Sequence, residues 1–240
     1  MKVRFLASGD RALVGEFGDR IERALSTDVL RLDASLRSSR LPGVVETVPT
    51  FRSLMVHYDP VATTCADLES AIASLLNRRP DPRATTILWR VPVCYEGSFA
   101  PDLGDVANRT GLAPGEVVAL HSAPRYHVYM LGFLPGFPYM GDLPHELALP
   151  RRADPRLRVP AGSVSIATTL TAIYPYESPG GWHLIGVTPI RLFDPARSRP
   201  ALLAPGDNVQ FEPIDPASFA SIRKAVDSGK YEVANEPISR

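Results

Sequence analysis

Residues 126–139 read YHVYMLGFLPGFPY, and this stretch decides how most of the chain is built. Its first part, Tyr126–Phe133, is aromatic and apolar strand material, and Gly132, Pro135, Gly136 and Pro138 then break the run. The same texture recurs outward at Ile87–Val93, Val164–Thr168, Trp182–Val187, Ile190–Phe193 and Asn208–Phe211. Short apolar runs joined by proline and glycine predict a closed or nearly closed antiparallel barrel. A helical insert, Asp102 to Leu120, falls between the first two strands. The 17 glycines and 24 prolines are interleaved with apolar runs, so they mark tight turns rather than low complexity.

Before residue 83 the pattern changes. Val3–Ala7 and Ala12–Phe17 read as a strand pair turning at Ser8-Gly9-Asp10. A helix follows, with Asp19 and Glu22 at capping-box spacing and Ile21, Leu25, Val29, Leu32 and Leu36 as its stripe. Leu41-Pro42-Gly43 stops it. A second pair, Val44–Val48 and Leu54–Tyr58, precedes a helix from about Thr64 to Asn77, capped by Thr64 and Asp67, and Pro80-Asp81-Pro82 ends the pattern. Paired strands each followed by a helix predict a small α+β domain over 1–82, with the barrel domain over 83–240.

Acidic and basic residues balance at 26 each, which argues against nucleic acid or a membrane as a general partner. No apolar run approaches a membrane span and the N-terminus lacks a secretory core, so the expected compartment is the cytoplasm. Cys65 and Cys94 have no CxxC spacing; reduced thiols are the first reading and a disulfide the second. The insert places Ala107, Gly111 and Val117 as a helix-turn-helix would, but its second helix, Pro114–Leu120, is acidic and apolar and offers nothing to read bases. No phosphate-binding glycine loop, GxSxG elbow or HExxH pair occurs. His127 and His183 fall on predicted strands, where core or rim imidazoles are the common outcome.

Three clusters between Tyr126 and Trp182 carry the chemistry. Gly132–Tyr139 combines two glycines, two prolines and three aromatics, and suits either a ligand cover or a rigid loop closing the barrel end. Pro150–Pro160 holds Arg151, Arg152, Arg156 and Arg158 on a segment stiffened by three prolines. Guanidinium forks match carboxylate or phosphate oxygens, so this is the best anion site in the chain; a rim of surface ion pairs is the plain alternative. Gly162-Ser163 follows and offers amides and a hydroxyl. Tyr174–Trp182 contains Pro179-Gly180-Gly181, a tight turn whose amides can cradle an anion.

Together these clusters resemble the allophanate hydrolase subunit 1 family, which includes the B-type subunit of 5-oxoprolinase and the kinase inhibitor KipI. The likeness rests on Leu120-His121-Ser122, Tyr126–Tyr139, Pro150–Val164, Tyr174-Pro175, Ser178–Gly186 and Pro205-Gly206-Asp207, and with the N-terminal layout it covers essentially the whole chain. It implies an α+β N-terminal domain followed by a mainly-β cyclophilin-like barrel domain. It further implies ATP-dependent opening of 5-oxoproline to glutamate, with ATP, and Mg2+, as cosubstrate of a complex and no cofactor bound by a motif of this chain. The implied partners are a companion subunit 2 and a lactam-utilisation subunit, the isolated chain being inactive. On that basis Arg151, Arg152 and Arg156 are expected to bind substrate or phosphoryl oxygens, with Ser163, Tyr174, Gly180 and Gly181 as further contacts and His121 as the acid/base candidate. A KipI-like regulatory binding protein and a carboxyl-transfer subunit related to urea carboxylase are the alternatives.

Two departures stand out. Where the family runs Ile-Gly-Gly-x-Gln-Thr-Gly-x-Tyr-Pro, this chain has Ile166-Ala167-Thr168-Thr169-Leu170-Thr171-Ala172-Ile173-Tyr174-Pro175. The family's Tyr-Gly-Gly-x-x-Gly-Pro-Asp-Leu is here Tyr95-Glu96-Gly97-Ser98-Phe99-Ala100-Pro101-Asp102-Leu103. The serine–serine–lysine set of amidase-type allophanate hydrolysis is absent.

Overall fold

The computed structural model describes residues 3–76 and 85–239. The chain divides into two compact units, Met1–Ala84 and Thr85–Arg240. The break at Pro80-Asp81-Pro82, the 82/83 boundary and the expected helix end at Asn77 lie outside the described residues.

In the first unit, β1 (Arg4–Ala7) pairs with β2 (Ala12–Glu16), and α1 spans Arg23–Ser39. β3 (Val44–Pro49) and β4 (Ser53–Tyr58) follow, then α2 (Cys65–Leu76). The strands form one antiparallel sheet in the order β1-β2-β4-β3. Leu13, Leu54 and Val56 of the sheet pack in one buried cluster with Val29, Leu32 and Leu36 of α1 and Leu68 and Ile72 of α2. The Thr64 cap forms as expected: its hydroxyl accepts the Asp67 N–H at 3.2 Å and donates to Asp67 Oδ2 at 2.7 Å. The Asp19/Glu22 box does not form. Phe17 and Gly18 are tied to Arg52, the chain bends at Asp19-Arg20, the helix begins only after an extended Glu22, and Ile21 is left exposed outside the stripe.

The second unit contributes β5 (Thr85–Cys94), α3 (Leu103–Thr110), α4 (Pro114–Ser122), β6 (Tyr126–Leu131) and β7 (Pro138–Gly141). Next come β8 (Arg156–Val159), β9 (Ser163–Ala167), β10 (Leu170–Ile173), β11 (Ser178–Gly180) and β12 (His183–Val187). β13 (Asn208–Ile214), α5 (Pro216–Asp227) and β14 (Asn235–Ser239) complete it. Seven strands close a ring in the order β12-β9-β10-β7-β6-β13-β5, and the Val187↔Cys94 pairing joins its ends. β14 adds to β5 outside the ring. The expected fold class, an α+β unit followed by a mainly-β cyclophilin-like barrel, is the one adopted. One difference is that β13 runs parallel to β5. Another is that Ile190–Phe193 makes a single bridge, Phe193↔Ala201, and no strand.

Val91, Val93, Val128, Met140, Val164, Ile166, Ile173 and Ile185 share one buried core with Val106 and Val117 of the two insert helices. Gly111 ends α3 in the left-handed conformation, as a helix C-terminus favours. Asp207 pins the start of β13, accepting the Trp89 Nε1–H at 3.0 Å and the Ala204 N–H at 2.9 Å. Both cysteines are free thiols, Cys65 half-buried and Cys94 buried. Among the described residues no helix is long and apolar enough to cross a membrane.

Candidate functional site

Side chains alternate across a strand, so the neighbours of core residues face the other way. Met140 is in the core, which turns Tyr139 to the opposite face; Thr171 and Ile173 likewise turn Ala172 there, directly opposite Tyr139. On that face lies an open pocket of about 360 Å3. Phe133, Phe137, Tyr139, Tyr174 and Trp182 wall it, and Arg151, Arg152, Gly180 and Gly181 complete the lining with Pro155 and Pro179. The aromatic walls brace one another: Phe137 meets Tyr174 edge-on at 5.1 Å and Trp182 at 6.3 Å. The loop predicted from Gly132–Tyr139 thus forms one wall. Phe133 sits at φ 68 in a three-residue turn closed by Leu134 N–H to Gly132 carbonyl, and its ring stays 61% exposed.

Arg152 and Arg156 converge on one carboxylate. Asp102 accepts Arg156 Nη1 at 2.9 Å and Nη2 at 2.6 Å, Arg152 Nη1 at 3.1 Å, and the Leu184 N–H at 2.7 Å. Its side chain is only 5% exposed. Burial works to raise the Asp102 pKa. The bonds from Arg156 and the Leu184 amide, with the charges of both arginines, outweigh this and hold it below the usual carboxylate range. Asp102 stands at the N-cap of α3 but makes no side-chain bond to the helix; it serves the arginines instead. Two more bonds tie the arginine loop down: Arg152 N–H to the Gly181 carbonyl at 2.7 Å, and His183 Nε2–H to the Pro150 carbonyl at 3.0 Å.

Donors remain unspent. Arg151 has no carboxylate partner among the described residues and lies over the Trp182 ring at 5.9 Å, a cation–π contact. Arg152 Nε is buried without an acceptor among them. The Gly181 N–H likewise bonds no described acceptor. Burial pushes the Tyr174 hydroxyl up to about 12, against the pull of Arg151, so it is a neutral donor at physiological pH. Gly180 is required where it stands, because a Cβ there would collide with the Tyr174 ring and hydroxyl. Arg158 is a rim residue, 82% exposed and paired with Glu177 at 3.4 Å.

Of the residues singled out from sequence, Arg151, Arg152, Tyr174, Gly180 and Gly181 meet in this pocket. Arg156 stands behind it on β8, in register with Gly180. Ser163 does not line it. The Gly162 and Ser163 amides are already bonded to the carbonyls of Tyr174 and Pro160, so they are not free to cradle an anion. Gly162 sits at φ 85, and a Cβ there would collide with the Thr188 carbonyl. His121 lies elsewhere, fully buried in the core. Thr171 Oγ1 donates to the Ser165 carbonyl and therefore accepts His121 Nε2–H at 2.9 Å, which leaves Nδ1 to accept the Tyr95 hydroxyl at 2.8 Å. Burial lowers its pKa to about 3. With both nitrogens engaged and no solvent contact, this imidazole braces the core, away from the pocket. The residue that sequence reading passed over is Asp102, whose arginine partners lie 50 and 54 residues further along the chain.

An α+β unit followed by a closed barrel carrying an arginine–aromatic pocket defines the class: the chain belongs to the family described as carboxyltransferase domain, subdomain C and D, whose model matches residues 3–203. Within it, the chain is 37% identical over 230 residues to the B-type subunit of 5-oxoprolinase from Bacillus subtilis (strain 168), covering 90% of this chain and 95% of that one. Identity to the corresponding 5-oxoprolinase subunit of Escherichia coli O157:H7 is 41% over 212 residues, covering 88% and 96%. The crystal structure of TTHA0988 superposes with a TM-score of 0.77 at 38% identity, over 85% of this chain and 40% of that chain, so this chain spans well under half of that protein. The Kluyveromyces lactis urea amidolyase structure, at 22% identity and a TM-score of 0.82, shares the fold.

Proposed function

We propose that this chain is the B-type subunit of an ATP-dependent 5-oxoprolinase, acting in a complex that opens 5-oxo-L-proline to L-glutamate, with the Trp182 pocket as its substrate site. The observation that carries the reading is near full-length identity of 37% and 41% to two proteins named as B-type subunits of 5-oxoprolinase. A lactam carbonyl is a poor electrophile. Moving the ATP γ-phosphoryl to its oxygen makes the carbon attackable; water adds, the C–N bond breaks as nitrogen takes a proton, and a second water releases phosphate from the acyl phosphate. Positive charge and fixed donors at the pocket suit the substrate's anionic groups. ATP and Mg2+ are cosubstrates of the complex, in the cytoplasm, and its other members are a companion subunit 2 and a lactam-utilisation subunit. That this chain spans 40% of TTHA0988 fits a unit that works beside a further domain. The isolated chain is inactive in this reading.

The test is reconstitution with those subunits while following glutamate and phosphate release. Stoichiometric release dependent on this chain supports the proposal; no release from any combination rejects it. The second reading, carboxyl transfer to a urea-like nitrogen, is favoured by the family match and by 27% identity to Saccharomyces cerevisiae urea amidolyase over 97% of this chain. It requires carboxybiotin-dependent product in place of glutamate.

A further inference from the structure

We infer that the Trp182 pocket is a subsite for the carboxylate of a small ring-bearing monoanion, and that nucleotide phosphates bind elsewhere in the complex. The inference rests on the function proposed above and deepens it by naming which anion this chain holds.

Charge accounting leads there. Two guanidinium groups line the pocket and that of Arg156 stands behind it, but buried Asp102 occupies both Nη atoms of Arg156 and one of Arg152. What remains for a ligand is the Arg151 guanidinium, the buried Arg152 Nε–H, which has no acceptor among the described residues, the Gly181 N–H and the neutral Tyr174 hydroxyl. Buried donors in native structures are satisfied, so an unspent one beside a pocket marks where an acceptor belongs. Arg151 is the one guanidinium of the three with no carboxylate partner among the described residues, and its fork with the neighbouring N–H donors matches one carboxylate. A triphosphate needs more, and arrives with Mg2+; among the described residues no carboxylate lines the pocket to help hold that ion. Size and walls agree. About 360 Å3 lies at the low end of small-molecule sites, and the edge-to-face Phe137, Tyr139 and Trp182 rings offer apolar surface to a small ring.

The experiment is calorimetric titration of the full chain and of the reconstituted complex with 5-oxo-L-proline, with 2-pyrrolidinone, which is the same lactam without the carboxylate, and with a non-hydrolysable ATP analogue plus Mg2+. Expected results are at least tenfold weaker binding of 2-pyrrolidinone than of 5-oxo-L-proline, and a loss of at least tenfold in 5-oxo-L-proline affinity in Arg151→Met with nucleotide affinity of the complex unchanged. Thermal melting confirms that the variant is folded, and Arg151→Lys, which keeps the charge, should recover part of the affinity. Equal binding of the two lactams overturns the inference, as does loss of nucleotide binding in Arg151→Met. If 5-oxo-L-proline does not bind but benzoate or proline does, with the same Arg151 dependence, the carboxylate subsite stands and the proposed reaction falls. If no monocarboxylate of this set binds chain or complex, the subsite is rejected.

Discussion

The pocket at Trp182 and the cluster around His121 sit on opposite faces of one hairpin. Thr171 of β10 reaches into the core to accept the His121 Nε2–H, while its neighbour Ala172 lies against Tyr139 on the pocket side. Both regions are built from motif residues, and both combine polar groups with aromatic rings. They differ in what is left over. At His121 both ring nitrogens are paired, the Tyr126 hydroxyl is bonded to the His121 carbonyl, and the ring stacks on Phe211 at 4.6 Å. At the pocket, Arg151 and Arg152 Nε retain donors with nowhere to go among the described residues. A titratable side chain in a family motif therefore says little by itself; what distinguishes the two regions is unspent hydrogen-bonding capacity beside a cavity.

The largest effect that would test this contrast is on turnover. Arg151→Met should lower glutamate release by the reconstituted complex at least a hundredfold, yet shift urea-unfolding stability by less than about 0.5 kcal/mol, because the side chain is exposed and has no carboxylate partner to lose. Unchanged turnover removes the pocket from the mechanism.

Asp102→Ala should act mainly on stability. Removing the buried carboxylate leaves two guanidinium groups facing each other, an effect of about 3–5 kcal/mol in comparable buried pairs; a chemical-denaturation loss below about 1 kcal/mol would mean the arginines re-pair without it.

His121 gives a pH signature that begins well above the acid range in which Asp102 titrates. Its folded pKa of about 3 lies below the ordinary value of 6.5. The unfolded chain therefore takes up a proton first, and stability present above pH 6.5 is lost as pH falls toward 3. The slope from this group is at most about 1.4 kcal/mol per pH unit. His121→Gln should flatten that part of the unfolding-stability profile, whatever it does to the total. An unchanged slope would show that the imidazole is not held neutral.

The smallest effect lies at the turn shared by both regions. Thr168 occupies φ 54, a left-handed conformation that β-branched residues adopt at a cost of about 1 kcal/mol. Thr168→Gly should raise the unfolding free energy by about that amount; a decrease would assign the threonine a compensating contact.

Legibility in the sequence followed the range of the interactions. β6, β9 and β12 came from local apolar texture, and α2 from its Thr64 cap, because those signals lie within a few residues. β8 and β11 did not, since Arg156–Val159 alternates charge with apolar groups and Ser178-Pro179-Gly180 has no strand pattern; they are defined only by each other. α5 did carry a local signal, Asp215 capping the Ser218 N–H ahead of Pro216, but the apolar runs drew the reading to the barrel. The pocket's arginines and glycines were visible as clusters. Asp102 was not, because its partners are 50 and 54 residues away and only the closed barrel brings them together. The burial of His121 was not legible either, because motif membership cannot distinguish a catalytic imidazole from a core one.

The parallel pairing of β13 with β5 bears on how the molecule is made. β5 is the first barrel strand to leave the ribosome, yet its ring neighbours β12 and β13 and the flanking β14 all come from the last third of the chain, and the Ile87–Asp207 bond spans 120 residues. Such high contact order makes closure a late event, with the apolar β5 edge unprotected during synthesis. The matched family region stops at residue 203, five residues before β13 begins at Asn208. A fragment trimmed to that region would therefore contain the pocket residues and lack the strand that seals their barrel.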